Sequence, residues 1–167
     1  MMLYFSKHTY DTVKRLCPEI QFGSPSMLYI ENLGNADWIY RFIGWCREQS
    51  CMPDFMNIHY YADIILPTSS DDFFLTKATA SCFPKATDDF SLFIGGIKKI
   101  FKTLGVQDKP VYMTEWNFTM SHRNLISDTS FKTCYIMKNL LKNYDRLDSF
   151  CYWSLTDLIR ENPLPPN

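Results

Sequence analysis

The sequence predicts an α/β fold in which about four parallel strands alternate with helices, in the order α-βα-βα-βα-β. Three observations lead there. Apolar residues switch repeatedly between helical spacing and short strand-like runs. Proline, glycine and small polar residues punctuate each switch. One strand-like run, Pro110 to Asn117, closes on a single carboxylate, Glu115, and the carboxyl end of a parallel strand is where α/β folds keep their chemistry. Alternation of this kind implies a parallel sheet with right-handed crossovers.

Residues 3–16 read as a helix that Pro18 stops. A short strand, Ile20-Gln21-Phe22, follows and closes at Gly23. Asn35 is placed to cap the next helix, in which Ile39, Phe42, Ile43 and Cys46 fall at i, i+3, i+4 and i+7. Phe55 to Tyr60 reads as a strand. The connection 62–87 carries Pro67, Pro84 and many Ser, Thr and Asp residues, and connections that long are usually functional or disordered. Asp88 or Asp89 caps a helix with Phe93, Ile97, Ile100, Phe101 and Leu104 on one face, and Gly105 is its stop. After the Glu115 strand, Asp128 caps a helix expected to turn Phe131, Cys134, Met137 and Leu141 inward. Phe150 to Leu155 is the last strand, and the segment from Pro163 onward reads as loop.

The 167 residues suffice for one domain, 1–167, with a real core, and 46% hydrophobic and 16% aromatic content argue against disorder. A net charge of −1 with scattered Lys and Arg points away from nucleic-acid binding through this segment; Lys98, Lys99 and Lys102 read as the solvated face of a helix. The six cysteines show neither CxxC pairs nor zinc spacing, so buried free thiols are expected. With no secretory or transmembrane run in sight, that pattern predicts a reducing cytoplasm and no membrane partner. The Asp71-Asp72 and Asp88-Asp89 pairs lack metal-site spacing, and no metal or organic cofactor is expected.

Within Pro110–Asn117, Val111 and Met113 alternate with Tyr112 and Thr114 as a pleated strand requires. A carboxylate beside Trp116 and Asn117 is a poor choice for packing, because charged groups are rarely buried unless paired or used. Met113-Thr114-Glu115-Trp116-Asn117 resembles the nucleophile strand of glycoside hydrolase family 39, which contains β-xylosidases and α-L-iduronidases. Three further blocks follow the family's order. Phe22-Gly23-Ser24-Pro25 resembles its strand-five turn, and Asp54 to Tyr61 its strand-six His-x-Tyr block. Asp148 to Asp157 resembles strand eight. The resemblance implies a half TIM barrel, strands five to eight, since a complete barrel takes about 250 residues.

The resemblance also implies a retaining mechanism with two carboxylates about 5–5.5 Å apart. Glu115 matches the nucleophile. His59 and Tyr61 match pocket residues able to hydrogen-bond a carboxylate or a sugar hydroxyl, and Trp153 matches the indole that floors the sugar site. Asn117 and Glu161 are weaker matches near the sugar rim. The family's acid/base sits in an Asn-Glu pair at the end of strand four, and no Asn-Glu dipeptide occurs in this sequence. The chain alone is therefore expected to be inactive, having lost the ~10²–10⁴-fold that general acid–base catalysis supplies.

The resemblance implies a pyranoside ligand, of the β-xyloside class. The competing reading is a sugar-sensing or regulatory module, since related barrels are found fused to AraC-type transcription regulators. A half barrel also leaves strand edges and an apolar inner face open, which predicts a homodimer or pairing with a missing N-terminal half.

Overall fold

The computed structural model describes residues 2–26, 33–62, 89–118 and 129–154. Along them run helices α1 (Met2–Leu16) and α2 (Leu33–Glu48), strand β1 (Met56–Tyr61), helix α3 (Asp89–Thr103), strand β2 (Val111–Asn117), helix α4 (Ser130–Asn143) and strand β3 (Ser149–Tyr152). The strands form one parallel sheet in the order β1-β2-β3. The alternation read from apolar spacing is thus present.

The expected strand at Ile20–Phe22 is not formed. That segment joins the sheet through one parallel bridge, Gly23 to Phe55. The Asp54 N–H bonds the Phe22 carbonyl at 2.7 Å and the Ser24 N–H bonds the Phe55 carbonyl at 3.0 Å. The next rung is then taken by a side chain, with the Asn57 N–H donating to Ser24 Oγ at 2.8 Å. Pro25 has no N–H to extend the ladder further. Glycine is needed at 23, because a Cβ there would overlap the Phe55 ring.

Alternate strand residues enter the core, and the helices cover that face. Met56, Ile58, Val111, Met113 and Trp116 are buried, together with Ile39, Phe42, Ile43 and Cys46 of α2 and Phe90, Phe93, Ile94, Ile97 and Phe101 of α3. The Tyr60 ring sits 4.7 Å from Phe93, and Phe90 lies 5.0 Å from Trp116. Each fully buried side chain of this kind stabilises the fold by roughly 1.5–3 kcal/mol, an upper figure because the unfolded chain is itself partly compact. The expected apolar faces of α2 and α3 are therefore the observed ones. Helix α2 starts at Leu33, so Asn35 lies in its first turn and is not the cap.

Helices α2 and α3 end alike. In α3 the Val106 N–H reaches the Phe101 carbonyl and the Gly105 N–H the Lys102 carbonyl, with Gly105 at φ +63°. In α2 the Cys51 N–H reaches Cys46 and the Ser50 N–H reaches Arg47, with Ser50 at φ +52°. Both are Schellman turns, whose first residue beyond the helix is left-handed. Their apolar pairs, Phe101 with Val106 and Cys46 with Cys51, are buried. Burial, reinforced by neighbouring Cys51, pushes the Cys46 thiol up to about 12, so this thiol is inert packing at neutral pH.

Helix α4 corrects the sequence reading. Phe131, Cys134, Met137 and Leu141 were expected inward, yet Met137 and Leu141 are 52% and 69% exposed and Cys134 faces solvent. Tyr135, Asn139 and Asn143 are buried instead. Polar partners decide the rotation. Asn143 Oδ1 accepts from Ser91 Oγ at 3.1 Å and from Arg146 at 2.9 Å, while its amide donates to the Asn139 carbonyl. The Tyr135 ring meets Phe118 edge-on at 5.2 Å. Thr129 occupies the N-cap position without a side-chain cap bond, and Asp128 lies outside the described residues. Strand β3 begins at Ser149 and stops at Tyr152, short of the expected Leu155, which is also outside them.

Candidate active site

The face of the sheet away from the helices is polar. Along β1 it carries Asn57, His59 and Tyr61, and along β2 Tyr112, Glu115 and Asn117. The apolar inner face expected from the sequence is thus absent in these strands. Strict alternation from buried Val111 and Met113 would put Glu115 among the helices. A bulge prevents this. Ile58 pairs with Met113 but His59 pairs with Glu115, so Thr114 has no opposite residue; β3 shifts register at the same place. The extra residue changes the phase, so Trp116 enters the core and Glu115 turns to the polar face. Bulges commonly re-aim a side chain in this way.

Glu115 is held from β1. The Tyr61 hydroxyl donates to Glu115 Oε2 at 2.8 Å, and His59 Nδ1 lies 3.5 Å from the same oxygen. The other ring nitrogen of His59, Nε2, is 3.0 Å from Thr114 Oγ1. Burial lowers the His59 pKa and Glu115 opposes this only in part, so the ring is neutral at neutral pH. A carboxylate fixed by one hydroxyl donor, beside a neutral imidazole and still partly exposed, can accept further hydrogen bonds or attack an electrophile.

Asn117 and Trp153 occupy the next position along the site. Asn117 is 7% exposed, and its amide is used within the protein. Its Nδ2 donates to the Trp153 carbonyl at 2.5 Å, and its Oδ1 accepts from the Phe118 N–H at 2.7 Å and the Tyr152 hydroxyl at 3.2 Å. Asn117 therefore fastens the end of β2 to the residue after β3. The Trp153 N–H bonds the Trp116 carbonyl at 3.0 Å, and Trp153 is 43% exposed. Glu161 lies outside the described residues.

Two elements escaped the sequence reading. Thr114, the bulged residue, carried only a faint signal: the buried residues 111, 113 and 116 break a period of two. Asp54 fastens the start of β1. Its carboxylate takes Lys14 Nζ at 2.7 Å and the Phe22 N–H at 2.7 Å, and Lys14 also reaches the Ile20 carbonyl at 2.8 Å. Burial would raise the Asp54 pKa, but these two donors outweigh it and hold the carboxyl below its usual range. Among the described residues no cluster of His, Cys, Asp and Glu has the makeup of a metal site. None of the described helices is long and apolar enough to cross a membrane.

Known proteins resemble this chain over nearly its whole length. The chain is 24% identical over 157 residues to a β-xylosidase of Geobacillus stearothermophilus, covering 94% of this chain and 30% of the relative. It is 25% identical over 162 residues to a β-xylosidase of Caldicellulosiruptor saccharolyticus, again covering 30% of that protein. The chain therefore spans about a third of the length of these relatives. Among solved structures, a monomeric β-xylosidase of Caulobacter crescentus CB15 superposes with a TM-score of 0.71 at 16% identity, covering 91% of this chain and 29% of that one. A family 39 enzyme of Xanthomonas axonopodis pv. citri gives 0.67 at 18% identity, over 91% and 28% of the two chains. At these identities the structural matches establish shared fold alone. The model of the glycosyl hydrolases of family 39 matches residues 1–166, and the chain belongs to that family.

Proposed function

We propose that this chain carries the nucleophile half of a retaining β-xylosidase-type site, with Glu115 as the nucleophile. One observation carries the reading: the bulge turns Glu115 out of the core onto a polar face, where Tyr61 and His59 hold its carboxylate. Glu115 would attack the anomeric carbon and form a glycosyl-enzyme, expelling the leaving oxygen. A retaining mechanism needs a second carboxyl group about 5–5.5 Å away to protonate that oxygen and later activate water. Among the described residues of the three strands, Glu115 is the one carboxylate on the polar face. On this reading the acid/base carboxyl group comes from outside the three described strands, and turnover of an unactivated xyloside depends on it.

Tyr61 and His59 orient the nucleophile, and the partly exposed Trp153 indole offers a flat surface to the apolar face of a pyranose. Asn117 acts from behind by fixing Trp153, and Glu161 stays a candidate at the sugar rim. The segment corresponds to half of a TIM barrel, and its β3 edge, which has no strand partner among the described residues, and the exposed Met137 and Leu141 of α4 favour pairing with a second copy or with the remaining barrel strands. The relatives' names support a β-xyloside as the substrate class.

The test is intact mass spectrometry after incubation with an activated 2-fluoro-xylosyl donor, whose own leaving group needs no acid. A xylosyl adduct on the protein but not on Glu115→Gln supports the reading. No adduct removes Glu115 as a nucleophile, and sugar binding without an adduct would make the chain a sugar-recognition module.

A further inference from the structure

We infer that Thr114 is a positioning residue: as the bulged residue it turns Glu115 to the polar face, and its hydroxyl selects the His59 tautomer that points Nδ1–H at the carboxylate. The two ring nitrogens of His59 face different chemistries. Nδ1 lies 3.5 Å from Glu115 Oε2, an oxygen that already accepts the Tyr61 hydroxyl at 2.8 Å. A carboxylate oxygen can only accept, so a bare Nδ1 would set lone pair against lone pair. Nδ1 therefore carries the proton. In a neutral imidazole the other nitrogen is then an acceptor, and Nε2 is 3.0 Å from Thr114 Oγ1. The threonine hydroxyl rotates to donate to it. The neutral state this requires accords with the effect of burial on the ring, which outweighs the pull of Glu115.

Thr114 is suited to both tasks because of its place in the backbone. It has no partner on β1 at the register shift, so its side chain is free of the alternation that commits Met113 to the core and Glu115 to the polar face. The same residue thus sets the direction of the carboxylate and the protonation pattern of its neighbour. A valine keeps the branched shape at this position and loses the hydroxyl; a serine does the reverse.

The experiment reads the tautomer directly, by long-range proton–nitrogen correlation on the imidazole rings of ¹⁵N-labelled protein. The sequence holds three histidines, and His59→Gln assigns the relevant pair of signals. The expected result is a single Nδ1–H tautomer in the unsubstituted chain and in Thr114→Ser, and a mixture or the Nε2–H form in Thr114→Val. Should Thr114→Val fail to fold, Thr114→Ala supplies the same comparison. An Nε2–H tautomer in the unsubstituted chain, or an unchanged Nδ1–H tautomer on loss of the hydroxyl, overturns the inference. The second readout rests on Glu115 being the nucleophile: adduct formation with the 2-fluoro-xylosyl donor slows about tenfold in Thr114→Val, as loss of one orienting hydrogen bond implies, and recovers in Thr114→Ser. Absence of any adduct on the unsubstituted chain would refute the nucleophile assignment while the tautomer result still decides the role of Thr114.

Discussion

Ser50 holds a backbone conformation that suits glycine, and replacing it should stabilise the fold. Its φ of +52° lies in the left-handed region, at the residue where the Schellman turn of α2 demands it. A side chain bearing Cβ costs about 1–2 kcal/mol there. Glycine removes that strain but frees the unfolded chain, which offsets about 0.5–1 kcal/mol. Ser50→Gly is thus expected to add roughly 0.5–1 kcal/mol, seen as a melting temperature about 1–4 °C higher in a chain of this size. Gly105, at φ +63° in the matching turn of α3, supplies the control. An alanine Cβ there would be strained and would stand 3.4 Å from the Arg47 guanidinium, which donates to the Leu104 carbonyl. Gly105→Ala should therefore cost about 1–2 kcal/mol. Urea unfolding followed by circular dichroism measures both. A lower midpoint for Ser50→Gly, with Gly105→Ala neutral, would show that neither turn stores strain in its left-handed residue.

Three other perturbations test the packing around the site. Gly23→Ala should disturb the bridge to β1, because the new methyl would overlap the Phe55 ring and stand 2.9 Å from Asn57 Nδ2. An overpacking cost of about 1–3 kcal/mol is expected, with an altered near-ultraviolet spectrum as Phe55 leaves the Tyr112 ring 4.8 Å away. Asn143→Ala should cost about 1–2 kcal/mol in urea unfolding, since it removes a fully buried amide that accepts from Ser91 and Arg146 and donates to the Asn139 carbonyl. The third is pH. A His59 pKa lowered by burial means that the unfolded chain binds more protons, so stability falls as pH drops through the unfolded value of about 6.5 and is unaffected by this group above it. His59→Gln should flatten that limb of a stability–pH curve. Asp54, held low by Lys14 and the Phe22 N–H, contributes stability that is complete above about 3.9 and lost as pH falls through its folded value. Asp54→Asn should remove that second, more acidic limb.

The sequence disclosed what depends on period and punctuation. The faces of α2 and α3 could be read because large apolar side chains recur there at helical spacing, and Gly105 stopped α3 because the turn needs a positive φ. The same rule misread α4. Its apolar stripe is real, but the helix is oriented by Asn143, whose amide oxygen meets Ser91 across the interface with α3 and Arg146 just beyond the end of α4. An unsatisfied buried amide costs more than an exposed methionine, so the polar contact wins over the hydrophobic pattern. No count of apolar positions contains that partner, because Ser91 lies 52 residues away along the chain. The expected first strand shrank for a related reason: Ser24 replaces a backbone rung with its side chain, and Pro25 blocks the next one.

The site shows the same division more sharply. Glu115 could be singled out from sequence because a lone carboxylate closes an apolar run, and His59 and Tyr61 because their spacing puts both on one face. Strict alternation, however, assigns Glu115 to the core side together with Val111 and Met113, where an unpaired charge would be untenable. The sequence therefore held a contradiction, and the unpartnered Thr114 resolves it by changing the phase of β2 within one residue. A local rule broken at the position that bears the chemistry is where function and folding preferences part, and compensation is expected close by. Here it comes from Trp116, which the same phase change delivers fully buried among Phe90, Phe150 and Tyr152. The aromatic packing stabilises the bulged register, and that register is what keeps the carboxylate on the open face.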